Sequence, residues 1–121
     1  MVGLSSHGET TVLASILTTV FVSLHTTDPG DTGAAEIAGN AYARTAATFT
    51  DTGANPTTAS NSAIVSFPTA TAGWGTIAYF GLWSAATSGN YQGSGQLDVS
   101  RIVNAGDKVQ FLTGALTVSA N

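Results

Sequence analysis

The residues that could do chemistry are few and scattered. His25 is followed by Asp28 and Asp31, a spacing that could support a carboxylate-assisted imidazole or part of a metal site. A metal would normally want a second histidine or a further oxygen-rich position. With Pro29 and Gly30 between them, the two aspartates read instead as turn formers, because Asp side chains cap their own backbone in Asx-turns. Ser, His and Asp are all present, but a catalytic triad is a geometry rather than a composition, and no G-x-S-x-G occurs. Gly73, Gly75, Gly81, Gly93 and Gly95 are followed by no helix, so they cannot form a phosphate cradle. They read as strand ends and close-packing points. Trp74 sits in a Gly-flanked turn and could plug one end of the fold, anchor an interface or stack on a sugar; Trp83 reads as core. Arg44 lies mid-strand. It is either an outward residue with local bonds or a guanidinium fork on a carboxylate such as Glu36 or Asp107. This inventory is too thin for an enzyme, and it leaves the catalytic, cofactor and metal sites empty.

The elements that must position these residues are mostly short strands. Ser6 and Glu9 have capping-box spacing, and Val12, Leu13, Ile16, Leu17 and Val20 fall on one helical face. This predicts an arm over 1–7 and a short helix over 8–18. Strands are predicted over 20–26, 42–49, 63–67, 76–83, 91–97, 99–103, 108–112 and 116–119. Gly-, Asn- and Asp-rich breakers separate them. In 76–83 both faces are apolar, which predicts a central strand covered on both sides. In 108–112, Val109 and Phe111 should point inward and Lys108 and Gln110 outward. The expected fold is mainly β, a β-sandwich or jelly-roll-like domain with one short N-terminal helix, as a single domain over 1–121 with the sandwich at 20–119.

Composition narrows the class. The 121 residues include 19 Ala, 19 Thr, 12 Ser and 14 Gly, while charged residues make up 8%. About a quarter is usual. Three cations against seven anions cannot make the basic patch that nucleic-acid binding needs. Without cysteine there is no disulfide frame, thiolate metal site or thiol nucleophile. The apolar run 12–24 is interrupted by Ser15, Thr18, Thr19 and Ser23, too short and polar to span a bilayer. So sparse a set of charges fits a surface that partners cover.

Seven motifs in order carry a resemblance. They are Leu24-His-Thr-Thr-Asp-Pro-Gly30, Gly39-Asn-Ala-Tyr-Ala-Arg44, Asn61-Ser-Ala-Ile-Val-Ser-Phe-Pro68, Ala72-Gly-Trp-Gly-Thr76, Phe80-Gly-Leu-Trp83, Val103-Asn-Ala-Gly-Asp107 and Gly114-Ala-Leu-Thr-Val118. Over about residues 8 to 119 the chain resembles a family of small tailed-bacteriophage virion proteins, often labelled tail-fibre proteins. The resemblance implies a non-enzymatic structural protein on the exterior of the virion, with no cofactor. Two placements follow. The first is a capsid decoration, or cement, protein bound to the phage major capsid protein, expected as a homotrimer. The alternative is a tail or fibre component, with a host-receptor-binding module as its functional extreme. The arm 1–7 and the loop 26–40 are expected to be ordered by a neighbour, with Leu4, Ile37 and Trp74 as contact anchors.

Overall fold

The computed structural model describes residues 20–51 and 57–120. The arm 1–7 with Leu4, and the helix expected over 8–18, lie outside them. Every regular element among the described residues is a strand. They are β1 (Val20–His25), β2 (Thr45–Ala47), β3 (Phe49–Asp51), β4 (Thr57–Asn61), β5 (Val65–Ser66), β6 (Gly75–Trp83), β7 (Tyr91–Val103), β8 (Gln110–Phe111) and β9 (Thr117–Ala120). All pairings are antiparallel. They build a four-stranded sheet β2-β1-β6-β7, a three-stranded sheet β3-β4-β9 and a two-stranded ribbon β5-β8. The outcome is an all-β fold of several antiparallel sheets, coarser than the sandwich expected from the sequence. Among the described residues, β2 and β7 are the edges of the main sheet, which does not close on itself.

β6 is the central strand, flanked by β1 and β7. Alternation sorts the side chains of the β1–β6 pair into two faces. Val22 stands opposite Leu82, and Leu24 opposite Phe80. These four are buried and form one apolar face. One core cluster joins them to Ala59 and Val118 of the three-stranded sheet and to Val65 and Phe111 of the ribbon. Gly95 is what lets this layer close. It stands opposite Phe80, and a Cβ built on it would lie 2.5 Å from the Phe80 ring. On the other face, Phe21 stands opposite Trp83, Ser23 opposite Gly81 and His25 opposite Tyr79. That face sets Ser23 and His25 among aromatic rings, and the chain from Thr26 to Arg44 folds over it.

β4 was not expected. Thr57-Thr-Ala-Ser-Asn61 has one apolar side chain, Ala59, which is fully buried. Its anchor is Asn61, whose side-chain amide donates to the Ala63 and Leu112 carbonyls (2.9 Å each) and accepts from the Leu116 N–H (2.9 Å). A buried amide with its capacity filled holds three segments in one register. β7 also differs from expectation. The two strands predicted on either side of Asp98 are one strand with a bulge. Ile77 pairs with Arg101 and Tyr79 with Gln96, so Ala78 alone faces Leu97, Asp98, Val99 and Ser100. The surplus residues bend the strand outward.

Candidate functional site: a locked polar face and an open edge

Two features stand out, one closed and one open. The closed one is built on the Ser23 and His25 face of β1 and β6. Three segments are pinned there by Arg44. Its Nε and Nη2 donate to the two carboxylate oxygens of Glu36, both at 2.9 Å. Its Nη1 donates to the Ser88 carbonyl at 2.8 Å and the Ala85 carbonyl at 3.2 Å. The guanidinium lies 3.6 Å from the centroid of the Trp83 ring. A planar fork meets a carboxylate and an aromatic face together, which an ammonium would not do. Of the two carboxylates considered from sequence, Glu36 is the partner, and Asp107 instead accepts from the Asn104 N–H.

Tyr42 extends the network. Its hydroxyl donates to Glu36 (2.7 Å) and accepts from the Leu24 N–H (3.0 Å). Burial holds the phenol well above the ordinary tyrosine value, and donation to Glu36 adds to it. For Glu36, burial alone would raise the carboxyl. The hydrogen bonds from Arg44 and Tyr42, with the Arg44 charge, outweigh it and leave the group below the ordinary carboxylate value.

Beside this lies a serine–histidine pair. His25 Nδ1–H donates to the Ala34 carbonyl oxygen (2.7 Å), which leaves Nε2 to accept from the Ser23 hydroxyl (2.7 Å). The Trp83 indole N–H donates to the same Ser23 oxygen (2.9 Å). Distances alone would suit a nucleophile and its base. Access decides otherwise. Ser23 and His25 are both fully buried. A Cβ on Gly81 would lie 2.5 Å from Ser23 Oγ, so no space remains for a reacting carbon. The pair is a structural lock. Burial keeps the imidazole neutral by pushing its pKa down. Neither Asp28 nor Asp31 hydrogen-bonds His25; Asp28 accepts from the Gly30 N–H, the turn role expected of it. No group of three or more His, Cys, Asp or Glu among the described residues could hold a metal.

The network also explains local backbone geometry. Ala35, Asn40, Ala41 and Ser88 have positive φ without being glycine. All four lie in the segments that Arg44, Glu36 and Tyr42 tie down. The loop after β1 makes contacts with its own domain. Pro29 is buried, Gly33 and Ala34 donate to its carbonyl, and Tyr91 donates to the Gly30 carbonyl.

The expected contact anchors fall in place accordingly. Ile37 (9% exposed) and Trp74 (5%) are part of the protomer's own core. The Trp74 indole N–H donates to the Asn40 carbonyl, and its ring meets Tyr42 edge-on at 5.4 Å. Leu4 is among the residues not described. The exposed large hydrophobics are others: Val99 (72%), Ile102 (70%), Leu112 (66%) and Ile64 (57%). Sequence periodicity missed the first two because it took 99–103 as an ordinary strand.

Residues 6–119 match the family described as podophage GP4 fiber I protein gp80. The chain belongs to that fiber I family. No curated protein matches it. Membership extends across nearly the whole chain, both described features included, and makes this a structural protein of a tailed-phage virion and not an enzyme. It also bears on placement. The description of the fiber I family names a fibre, which favours the tail alternative over capsid decoration as drawn from small size and sparse charge.

Proposed function

We propose that the protein is a component of the tail or fibre apparatus of the virion, exposed on its exterior, where it acts as a rigid adaptor domain. The fiber I family match over residues 6–119 carries this reading. The structure is compatible with a load-bearing part. The serine–histidine pair of β1 is sealed, and the loops over it are tied by charge-assisted bonds. Binding partners are then other virion proteins, met through surface outside the locked face. Capsid decoration, with the major capsid protein as partner, is the placement this reading displaces.

Labelling of intact particles tests it. Antibodies raised against the purified chain and visualised by electron microscopy should mark the tail, with a few copies per particle. Label distributed over the head, at a copy number matching the shell lattice, would overturn the proposal. A particle lacking the protein should keep its DNA at the same temperature as the wild type. A cement protein would instead stabilise the shell by binding only its assembled form.

A further inference from the structure

The open feature is the bulged edge of β7. β7 is paired along β6 and is the edge of its sheet. An open strand edge is a pairing template, and natural proteins usually blunt it. Here the bulge carries Val99, and Ile102 follows it; both are more than two-thirds exposed. Leu97, Asp98, Val99 and Arg101 border one hollow of about 100 Å³, completed by Phe111 and Ala115. Arg101 donates to the Gln110 carbonyl at 3.3 Å and lies over the Phe111 ring at 5.0 Å, which links this patch to the ribbon. Extending the β5–β8 register from Val65–Phe111 places exposed Ile64 opposite exposed Leu112. Val99 and Ile102 are thus the exposed apolar side chains of the β7 edge, whereas Ile64 lies across the sheet beside Ala46 and Ala47. Large apolar side chains left exposed along a strand edge mark an interface.

Charge says what covers it. Asp98 and Arg101 have opposite signs, stand three residues apart and border the same hollow. Among the described residues the ion pair present is Arg44–Glu36, so Asp98 and Arg101 have no ionic partner among them. The midpoint between them falls between Val99 and Ser100. A two-fold axis there would bring Asp98 of each copy to Arg101 of the other and would set Val99 of each copy opposite Ser100 of the other. A patch with both signs placed symmetrically about its centre is complementary to itself, the requirement of an isologous contact. An acidic partner would meet Asp98 and a basic one would meet Arg101. A second copy satisfies both.

We infer that the bulged β7 edge, centred on Val99 and Ser100, is a two-fold contact between copies of this chain, with Asp98 and Arg101 paired across it. This goes beyond the placement in the virion and is tested on purified protein alone. Sedimentation equilibrium at micromolar concentration should show an even-numbered assembly. Asp98→Arg or Arg101→Asp alone sets like charges face to face at two symmetric positions and should weaken association about tenfold. The double variant Asp98→Arg/Arg101→Asp restores opposite charges and should restore association. Circular dichroism melts of all three should resemble wild type, because both side chains are exposed. A Ser100→Cys variant of this cysteine-free chain should form a disulfide-linked dimer on mild oxidation. A monomeric wild type overturns the inference. So does an assembly that the single swaps leave intact, or failure of the double swap to rescue while its melt stays wild-type.

Discussion

Arg44 is the residue on which the most structure depends. Arg44→Ala removes four donated hydrogen bonds and the stack on Trp83, and leaves Glu36 charged without its counterion. Breaking a largely buried pair in this way costs about 3 kcal/mol, so the melting temperature should fall by roughly 10 °C or more. Arg44→Lys should recover only part of it, since an ammonium cannot reproduce the fork. The strained alanines give the opposite sign. Ala35 and Ala41 hold φ of 63° and 69°. Glycine there relieves a left-handed penalty of about 1–2 kcal/mol against a smaller gain in unfolded-state entropy. Ala35→Gly should therefore raise the melting temperature slightly, and a drop would show that the Ala35 methyl contributes packing. Acid should weaken the fold through two groups. His25 has a lowered folded pKa, so below about 6.5 the unfolded chain binds a proton that the folded chain refuses, and stability falls with pH until the folded ring also protonates. Glu36 is lowered too; its contribution is present above the ordinary carboxylate value and disappears as pH falls through the folded value. Melting temperatures measured from pH 7 downward should show both losses. The upper one should vanish in His25→Gln and the lower one in Glu36→Gln.

Among the elements, β6 should be the last to open. It is paired on both sides over Tyr79–Trp83 and with β7 over most of its remaining length, whereas β2, β5 and β8 are two- or three-residue strands. Amide exchange should be slowest in Ile77–Leu82 and fastest in the short strands. Phe80→Ala, which empties a site packed against Gly95, should cost about 3–5 kcal/mol, and a melt within a few degrees of wild type would contradict that packing. β6 was legible in the sequence because apolar residues on both faces have one explanation, a covered central strand. The inward pair Val109 and Phe111 was legible for a related reason, since polar neighbours alternate with it. β4 was not, because a strand with a single inward alanine leaves no periodic signal, and its register is set by Asn61, whose bonding partners are up to 55 residues away. Position 98 was left as a gap between two predicted strands, where the structure has one bulged strand. A bulge and a turn both begin with a polar residue between apolar runs, and only pairing with β6 tells them apart. The locked face was half legible. Glu36 was named as a possible partner of Arg44, but the burial of His25 against Ser23 depends on Gly81 and Trp83 from another strand.

At the scale of the whole molecule, sparse charge was the correct sign of a chain that works in an assembly, but it does not say which assembly. Small size and acidity suit a head protein and a fibre protein equally, and the fiber I family match favours the fibre reading. The trimer expected from sequence and the two-fold contact at β7 make different demands on mass. A trimer unaffected by Asp98→Arg would point to another surface, and a dimer or hexamer would fit the self-complementary edge. The Arg44 network has a consequence for how such a chain can vary over evolutionary time. Loops are ordinarily the parts of a fold that drift independently. Here the loop holding Glu36 and the turn holding Ala85 and Ser88 are read by one guanidinium, so neither can change length without disturbing the other. Lineages that remodel one should carry compensating changes in the other, at Trp83 or at position 44 itself. Peptides grafted into the 84–90 turn should be tolerated less well than its place on the surface suggests.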